Sequence, residues 1–456
     1  MVKNIIIIVI TLLTVACNTI GGGNNQPTVK LLSISNGATN VAVTQIIQVR
    51  FNQSVTGVNP TNVTFTSSSG NQAITVTKDG TNTYNITAIS SLATNTTYTL
   101  TLGSGIIGRG GSLAPTTFTF TTLRTGLLTP LSPFTIATKI GPYRMTTSPD
   151  GKNVYVVNYN DNTVSMYSRS ESGLLSKLSP ESIATGIKPY GITISPDGKN
   201  VYVANYSDNT VSMYSRSPSG LLTQLAIPIS TGGILAAYIT ISPDGKNVYV
   251  ANYGINTVTM YGRSQSGLLI QLATPTIATE NGPVEITISP DGKYAYVTDY
   301  LDNELSIYSR DSATGLLTTL ATPTIATESA PVEITITPDG KYAYATNYGS
   351  NTLSMYSRES TTGLLTALVT PTIATGSNPY GIRITPDGKY AYVTNYGGNT
   401  VSMYSIKSAT GLLTALVTPT IATESNPYGI TISPDGKNVY VSNYNSNTLS
   451  MYKINL

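Results

Sequence analysis

Glu285, Glu333, Arg383 and Arg144 are the residues of this chain best placed to do chemistry together, because each interrupts an otherwise monotonous pattern. A slot six residues before the aspartate of a recurring Pro-Asp-Gly holds Arg144, Gly191, Tyr238, Glu285, Glu333, Gly381 and Gly429. Two residues later, on the same side of a strand, stand Thr146, Thr193, Thr240, Thr287, Thr335, Arg383 and Thr431. Paired carboxylates can work as acid and base or hold a hard cation such as Ca²⁺, and close neighbours raise one another's pKa. Asp299, Asp302 and Glu304 add acidity where other repeats carry mostly uncharged residues, Asn and Thr among them. The same charges also fit an ordinary role, with Glu333 and Arg383 as a solvated ion pair and Glu285 facing water.

Composition removes several alternatives. The chain has 456 residues, 10% of them charged, with 31 Tyr, 5 Phe, no Trp and no His. Without imidazole, His-based triads, His-built metal sites and His general bases are excluded, and no side chain titrates near neutrality unperturbed. The formal charge of +3 is too small to draw in nucleic acid or anionic lipid, and Lys and Arg are scattered rather than striped. No nucleic-acid partner is expected, and no cofactor beyond the Ca²⁺ that the carboxylates could bind.

The elements that position these residues follow from the repeat. The Pro-Asp-Gly aspartates are Asp150, Asp197, Asp244, Asp291, Asp339, Asp387 and Asp435, 47 or 48 residues apart. A period in the forties built from short β-like runs is the signature of a propeller with one four-stranded blade per repeat. In the last repeat, Pro427–Ser433 reads as the inner strand A, Pro434-Asp435-Gly436 as a tight turn in which Asp and Gly tolerate positive φ, and Lys437–Val441 as strand B. Thr448–Tyr452 reads as strand C, and in earlier repeats a Gly-Leu-Leu segment follows as strand D. Gly-Leu-Leu also occurs seven times, but its first copy, at Gly126, precedes the first Pro-Asp-Gly, and none follows the last. Residues near 125–131 are therefore expected to complete the blade begun at Pro427 and leave no open edge. The varied slot should face the central channel near one rim. There Arg144, Tyr238, Glu285, Glu333, Arg383, Asp299 and Asp302 form the candidate ligand-binding set, and Glu285, Glu333, Arg383 and Arg144 the candidate catalytic set. Asn-Tyr pairs such as Asn158-Tyr159 and Asn395-Tyr396 recur in nearly every repeat, and packing accounts for them more simply than recognition.

The N-terminus has Lys3, an apolar run from Ile5 to Val15 and then Ala16-Cys17. About eleven apolar residues are too few to span a bilayer and suit a signal peptide. Leu13-Thr14-Val15-Ala16-Cys17 resembles the lipobox of bacterial lipoproteins, which implies a signal peptide over 1–16, lipid on Cys17 and a tether over 17–27. Residues 28–122 lack the repeat. Their alternating runs, Ile46–Phe51, Ala73–Thr77, Thr97–Leu102 and Thr117–Thr121, indicate an antiparallel β-sandwich. Asn36–Val41, Leu92–Leu100 and Phe118–Thr122 make this segment similar to the bacterial Ig-like domains of S-layer and other surface proteins, which implies a spacer or adhesive module.

Tyr392-Val393-Thr394-Asn395 spells the motif of a large group of bacterial surface propeller repeats, with close variants at Tyr296–Asp299 and Tyr344–Asn347. With Pro-Asp-Gly-Lys, the region 123–456 resembles the seven-bladed lactonase-like propellers. That resemblance implies either a non-catalytic surface protein or a hydrolase of the 6-phosphogluconolactonase type. The expectation is an all-β cell-envelope lipoprotein, monomeric, that binds an extracellular protein or glycan as an adhesion scaffold. The alternative is a lactone hydrolase using the rim carboxylates and arginines.

Overall fold

The computed structural model describes residues 26–41, 45–90, 92–93, 96–122 and 126–455. The expected signal peptide, Cys17 and the tether up to residue 25 lie outside the described residues. The chain divides into two compact units between Arg124 and Thr125. Among the described residues every regular element is a strand.

The first unit is a sandwich. One sheet orders Val29–Leu31, Ile47–Phe51, Thr83–Ala88 and Ile74–Lys78, while the other centres on Thr116–Thr122, Thr97–Leu102 and Val63–Ser67. Alternate residues of these strands, among them Val49, Phe51, Phe65, Tyr98, Leu100 and Phe120, fill the space between the sheets.

The second unit is a ring of seven sheets, each at heart an antiparallel meander of strands A to D. Blade 1 comprises Pro142–Thr147, Asn153–Asn158, Thr163–Arg169 and Leu175–Ala184. Blade 7 takes Pro427–Ile432, Asn438–Asn443 and Thr448–Ile454 from the C-terminus and its strand D, Leu128–Ala137, from the start of the unit. Leu128 pairs with Ile454 and Ala137 with Thr448, so the ring closes as the offset of the two motifs requires. Strand D is longer than Gly-Leu-Leu alone, because the Thr-Pro-Thr-Ile-Ala that follows re-enters register with strand C after a bulge. Apolar cores lie between blades rather than within them. Tyr155, Val157 and Met166 of blade 1, for example, pack on Ile192, Val201 and Val203 of blade 2.

The Pro-Asp-Gly aspartate does not take positive φ. Only the glycine does, at 68–74°. The aspartate instead ties blades together: Arg216 Nη2 at the end of strand C in blade 2 donates to Asp150 Oδ2 of blade 1 at 2.8 Å, and its Nε to Tyr155 Oη at 2.9 Å. Arg169, Arg263, Arg310 and Arg358 repeat the latch onto Asp435, Asp197, Asp244 and Asp291. Ile406 and Ile454 stand where blades 6 and 7 would supply the arginine. Burial opposes the charge on Asp150, but Ser148, Arg216 and the Lys152 N–H outweigh it and hold the carboxyl down at about 2, as their counterparts do for Asp197. A carboxyl whose folded pKa lies below its unfolded value near 3.9 contributes stability that is complete above that value and lost as pH falls through the folded one. Stability of the ring to urea is therefore expected to fall between about pH 4 and pH 2. Arg216→Ala should flatten that fall, and an unchanged pH profile would contradict the latch.

Candidate functional site

Strand A of each blade lines the channel, and its residues place the candidates at two levels. The residue before the slot opens onto one end, where Tyr143, Tyr190, Tyr380 and Tyr428 with Ala237, Val284 and Val332 floor a bowl. Its wall is Tyr206, Tyr253, Tyr300, Tyr348 and Tyr396, each directly after strand B of its blade, and the cavity is about 400 Å³. The floor rings lock together: Tyr143 and Tyr428 have centroids 3.4 Å apart, and Tyr190 Oη lies 2.6 Å from Tyr380 Oη and 2.9 Å from Tyr428 Oη. The Asn-Tyr tyrosines are half-buried, so they both pack and present a face. Reading the repeats one position earlier on strand A would have exposed the floor, since four tyrosines and three small apolar residues stand there without a charge.

The slot residues lie one position deeper and are not at the rim. Arg144, Glu285 and Glu333 are 3%, 2% and 1% exposed, so the Glu333 half of the expected solvated ion pair is instead buried inside the channel, while Arg383 keeps partial exposure. Glu333 of blade 5 bridges two arginines: Arg144 Nη1 of blade 1 donates to its Oε2 at 2.7 Å, and Arg383 Nη1 of blade 6 to its Oε1. Among the described residues Arg144 Nε and Nη2 have no hydrogen-bond partner. The guanidinium rests on aromatic faces, 4.4 Å from the Tyr238 centroid and 5.6 Å from that of Tyr380. Glu285 does not face water but accepts from the Ile334 N–H at 2.9 Å. Burial pushes the Glu285 carboxyl up against the pull of Arg144 and Arg383. Burial likewise opposes the charge on Arg144, but Tyr238, Glu285 and the nearby tyrosines more than offset it, and its pKa is raised.

The three glycine slots have a steric reason. A Cβ on Gly429 would stand 2.5 Å from Tyr143 O and 3.0 Å from Arg144 Cα, and Gly191 and Gly381 crowd the next blade in the same way. These glycines bring the blades close enough for the charges opposite them to meet and be covered.

Asp299 and Asp302 do not join this network. Asp299 ends strand B of blade 4, Glu304 begins strand C, and Asp302 lies between them. Asp302 and Glu304 gather with Glu280 in a separate cluster. The candidate set is thus two constellations: Arg144, Tyr238, Glu285, Glu333 and Arg383 in the channel, and Asp299, Asp302 and Glu304 on blade 4.

A family profile described as "Lactonase, 7-bladed beta-propeller" matches residues 112–236, 227–322, 269–379 and 368–456, and one described as "Bacterial Ig-like domain" matches 23–122. No curated protein matches the chain. Among solved structures, Pseudomonas aeruginosa periplasmic gluconolactonase is 20% identical over 63% of this chain and 86% of its own, with a TM-score of 0.55. A Bacteroides fragilis protein provisionally named a 6-phosphogluconolactonase is 21% identical over 81% and 97%, with a TM-score of 0.57. Kuenenia stuttgartiensis hydrazine synthase is 23% identical over 70% and 97%, with a TM-score of 0.54. Proteins named for unrelated reactions thus share this fold, and the likeness at these identities is one of architecture.

Proposed function

The chain belongs to the lactonase, seven-bladed β-propeller family, and from that premise we propose that its propeller is a binding module whose ligand site is the tyrosine bowl. One observation carries this reading: the bowl is lined by tyrosine, valine and alanine alone, while the carboxylates that could act as bases are sealed beneath it. Burial raises the pKa of Tyr143, Tyr206, Tyr300, Tyr380 and Tyr396, so these hydroxyls stay neutral and are poor bases near pH 7. Tyrosine offers large rigid faces with a polar tip, which suits an uncharged glycan or a peptide loop. In the full reading, lipid on Cys17 anchors the chain to the cell envelope, the Ig-like unit acts as spacer, and the propeller is an adhesion scaffold for an extracellular protein or glycan.

Family membership favours a second reading, lactone hydrolysis through Glu285, Glu333 and the arginines. Both readings meet in one experiment. The purified chain is screened against gluconolactone and 6-phosphogluconolactone, and in parallel against glycan and matrix-protein arrays. Binding without turnover is expected, weakened at least tenfold, or about 1.4 kcal/mol, when Tyr348 and Tyr396 are both changed to Ala. Lactone turnover that disappears in Glu285→Gln would replace the binding reading with the hydrolytic one.

A further inference from the structure

Blade 4 departs from the other six at one corner, where strand B, strand C and the segment entering strand A meet. The last residue of strand B is Asn in six blades and Asp299 here, and the first residue of strand C is Thr in six blades and Glu304 here. The slot of Glu280 holds Lys139 in blade 1, glycine in blades 2, 3 and 6, and Glu328 and Glu424 in blades 5 and 7. Only in blade 4 do carboxylates occupy all of these positions, with Asp302 between them. One carboxylate oxygen from each of Glu280, Asp302 and Glu304 lies within 4.8 Å of the others. Among the described residues no lysine or arginine forms an ion pair with any of the four acids.

Asp299 supplies an independent sign that something is meant to sit there. In blade 6 the equivalent Asn395 donates from Nδ2 to Thr400 Oγ1 and Ser402 Oγ, both at 2.9 Å, and accepts at Oδ1 from the Gly376 N–H at 3.1 Å. In blade 4, Ser306 Oγ donates to Asp299 Oδ2 at 2.6 Å, which puts that oxygen where the amide nitrogen sits, beside Glu304. Asp299 Oδ1 is thereby turned toward the Glu280 position. The side chain is fully buried, and among the described residues Oδ1 has no hydrogen-bond partner. Several of the asparagines also leave Oδ1 unpaired, but a neutral amide tolerates that far better than a carboxylate does.

We propose that Glu280, Asp302 and Glu304 bind one divalent cation, matched to Ca²⁺, with buried Asp299 behind them completing the negative charge. Three exposed or half-exposed carboxylates with water filling the remaining positions suit the flexible oxygen coordination of Ca²⁺ better than the strict octahedron of Mg²⁺. Asp299 itself ends strand B at this corner. Next in the chain is Tyr300, whose N–H donates to Gly282 O at 3.0 Å and whose ring walls the bowl. A cation here would clamp the Glu280 segment to strand C and hold Tyr300 in place.

The test is calorimetric titration of the EDTA-dialysed full chain with CaCl₂, alongside thermal unfolding with and without Ca²⁺. A single site with a Kd of about 10⁻⁴–10⁻³ M and a Ca²⁺-dependent rise in Tm are expected. The double variant Asp299→Asn, Glu304→Thr restores the pair that six other blades fold with, so it should keep the fold and lose at least tenfold in affinity. Glu280→Gln, on an exposed side chain, should lose severalfold. Absence of binding heat and of a Tm shift at Ca²⁺ well above that range would overturn the proposal, as would unchanged affinity in both variants. Equal affinity for MgCl₂ would overturn the match to Ca²⁺.

Discussion

Glu333→Gln is expected to destabilise the propeller by about 3–5 kcal/mol, the usual cost of removing one partner from a buried charge pair. Among the described residues Glu333 carries the only carboxylate hydrogen-bonded to Arg144, and it also holds Arg383. Without its charge the Arg144 guanidinium would remain in a dry channel with tyrosine faces and the more distant Glu285 for compensation. Arg383, about a third exposed, can turn toward water and should suffer less. Replacing Arg144 by Met in the Glu333→Gln background removes the stranded charge and should recover much of the loss, a coupling that a double-mutant cycle in guanidinium chloride would measure. A single-variant loss below about 1 kcal/mol would mean that the network carries little of the ring's stability.

Removal of Leu128–Ala137 should have an effect as large or larger, though it cuts residues more than 300 positions from the strand they join. The segment supplies strand D of blade 7, and with it Leu128 and Ile136 to the inter-blade cores and Phe134 against Tyr452 at 5.3 Å between centroids. Burial of three such side chains is worth roughly 5 kcal/mol or more, a large part of the 5–15 kcal/mol that holds an ordinary domain together. Strand C of blade 7 would also become an open edge prone to pairing with other chains. The expected result is a cooperative melt shifted down by many degrees, with aggregation, and partial recovery when residues 126–137 are added as a peptide. An unchanged melt would refute closure by this strand.

Much of the architecture was legible because it is written in periodicity. Alternating apolar residues make strands, repeated turns count blades, and the offset between Gly-Leu-Leu and Pro-Asp-Gly gives the seam. What escaped was radial depth. A slot on strand A can be assigned to the channel from spacing, but whether Glu285 and Glu333 there meet water depends on how wide the channel is. Gly191, Gly381 and Gly429 narrow it, and a glycine read alone looks like a gap rather than a close approach. The latch escaped for a different reason. Asp150 makes sense locally as a turn residue, and its partner Arg216 lies 66 positions away, in the next blade. The signal was present in the two exceptions, Ile406 and Ile454, since an Arg that becomes Ile twice at the same position has lost a partner-specific task.

Those two exceptions have a consequence for how the ring moves. Blade 5 is latched to blade 4, and blade 7 to blade 1, but among the described residues the cations paired with Asp339 and Asp387 are lysines of their own turns, so blade 6 lacks the arginine latch on both sides. Across its junction with blade 5 it keeps apolar packing, hydrogen bonds such as Tyr344 Oη to Gly411 O and Thr346 Oγ1 to Tyr380 O, and the ion pair from Arg383 to Glu333. Local opening therefore has a preferred sector, and amide exchange should be fastest there in a ring whose sheets are otherwise near copies. Tyr380 and Tyr396 of that blade belong to the bowl. The bowl thus borders the one sector whose far end is not latched, and if it binds as proposed, a ligand slightly too large for 400 Å³ would be admitted by the breathing of blade 6 rather than by any hinged lid.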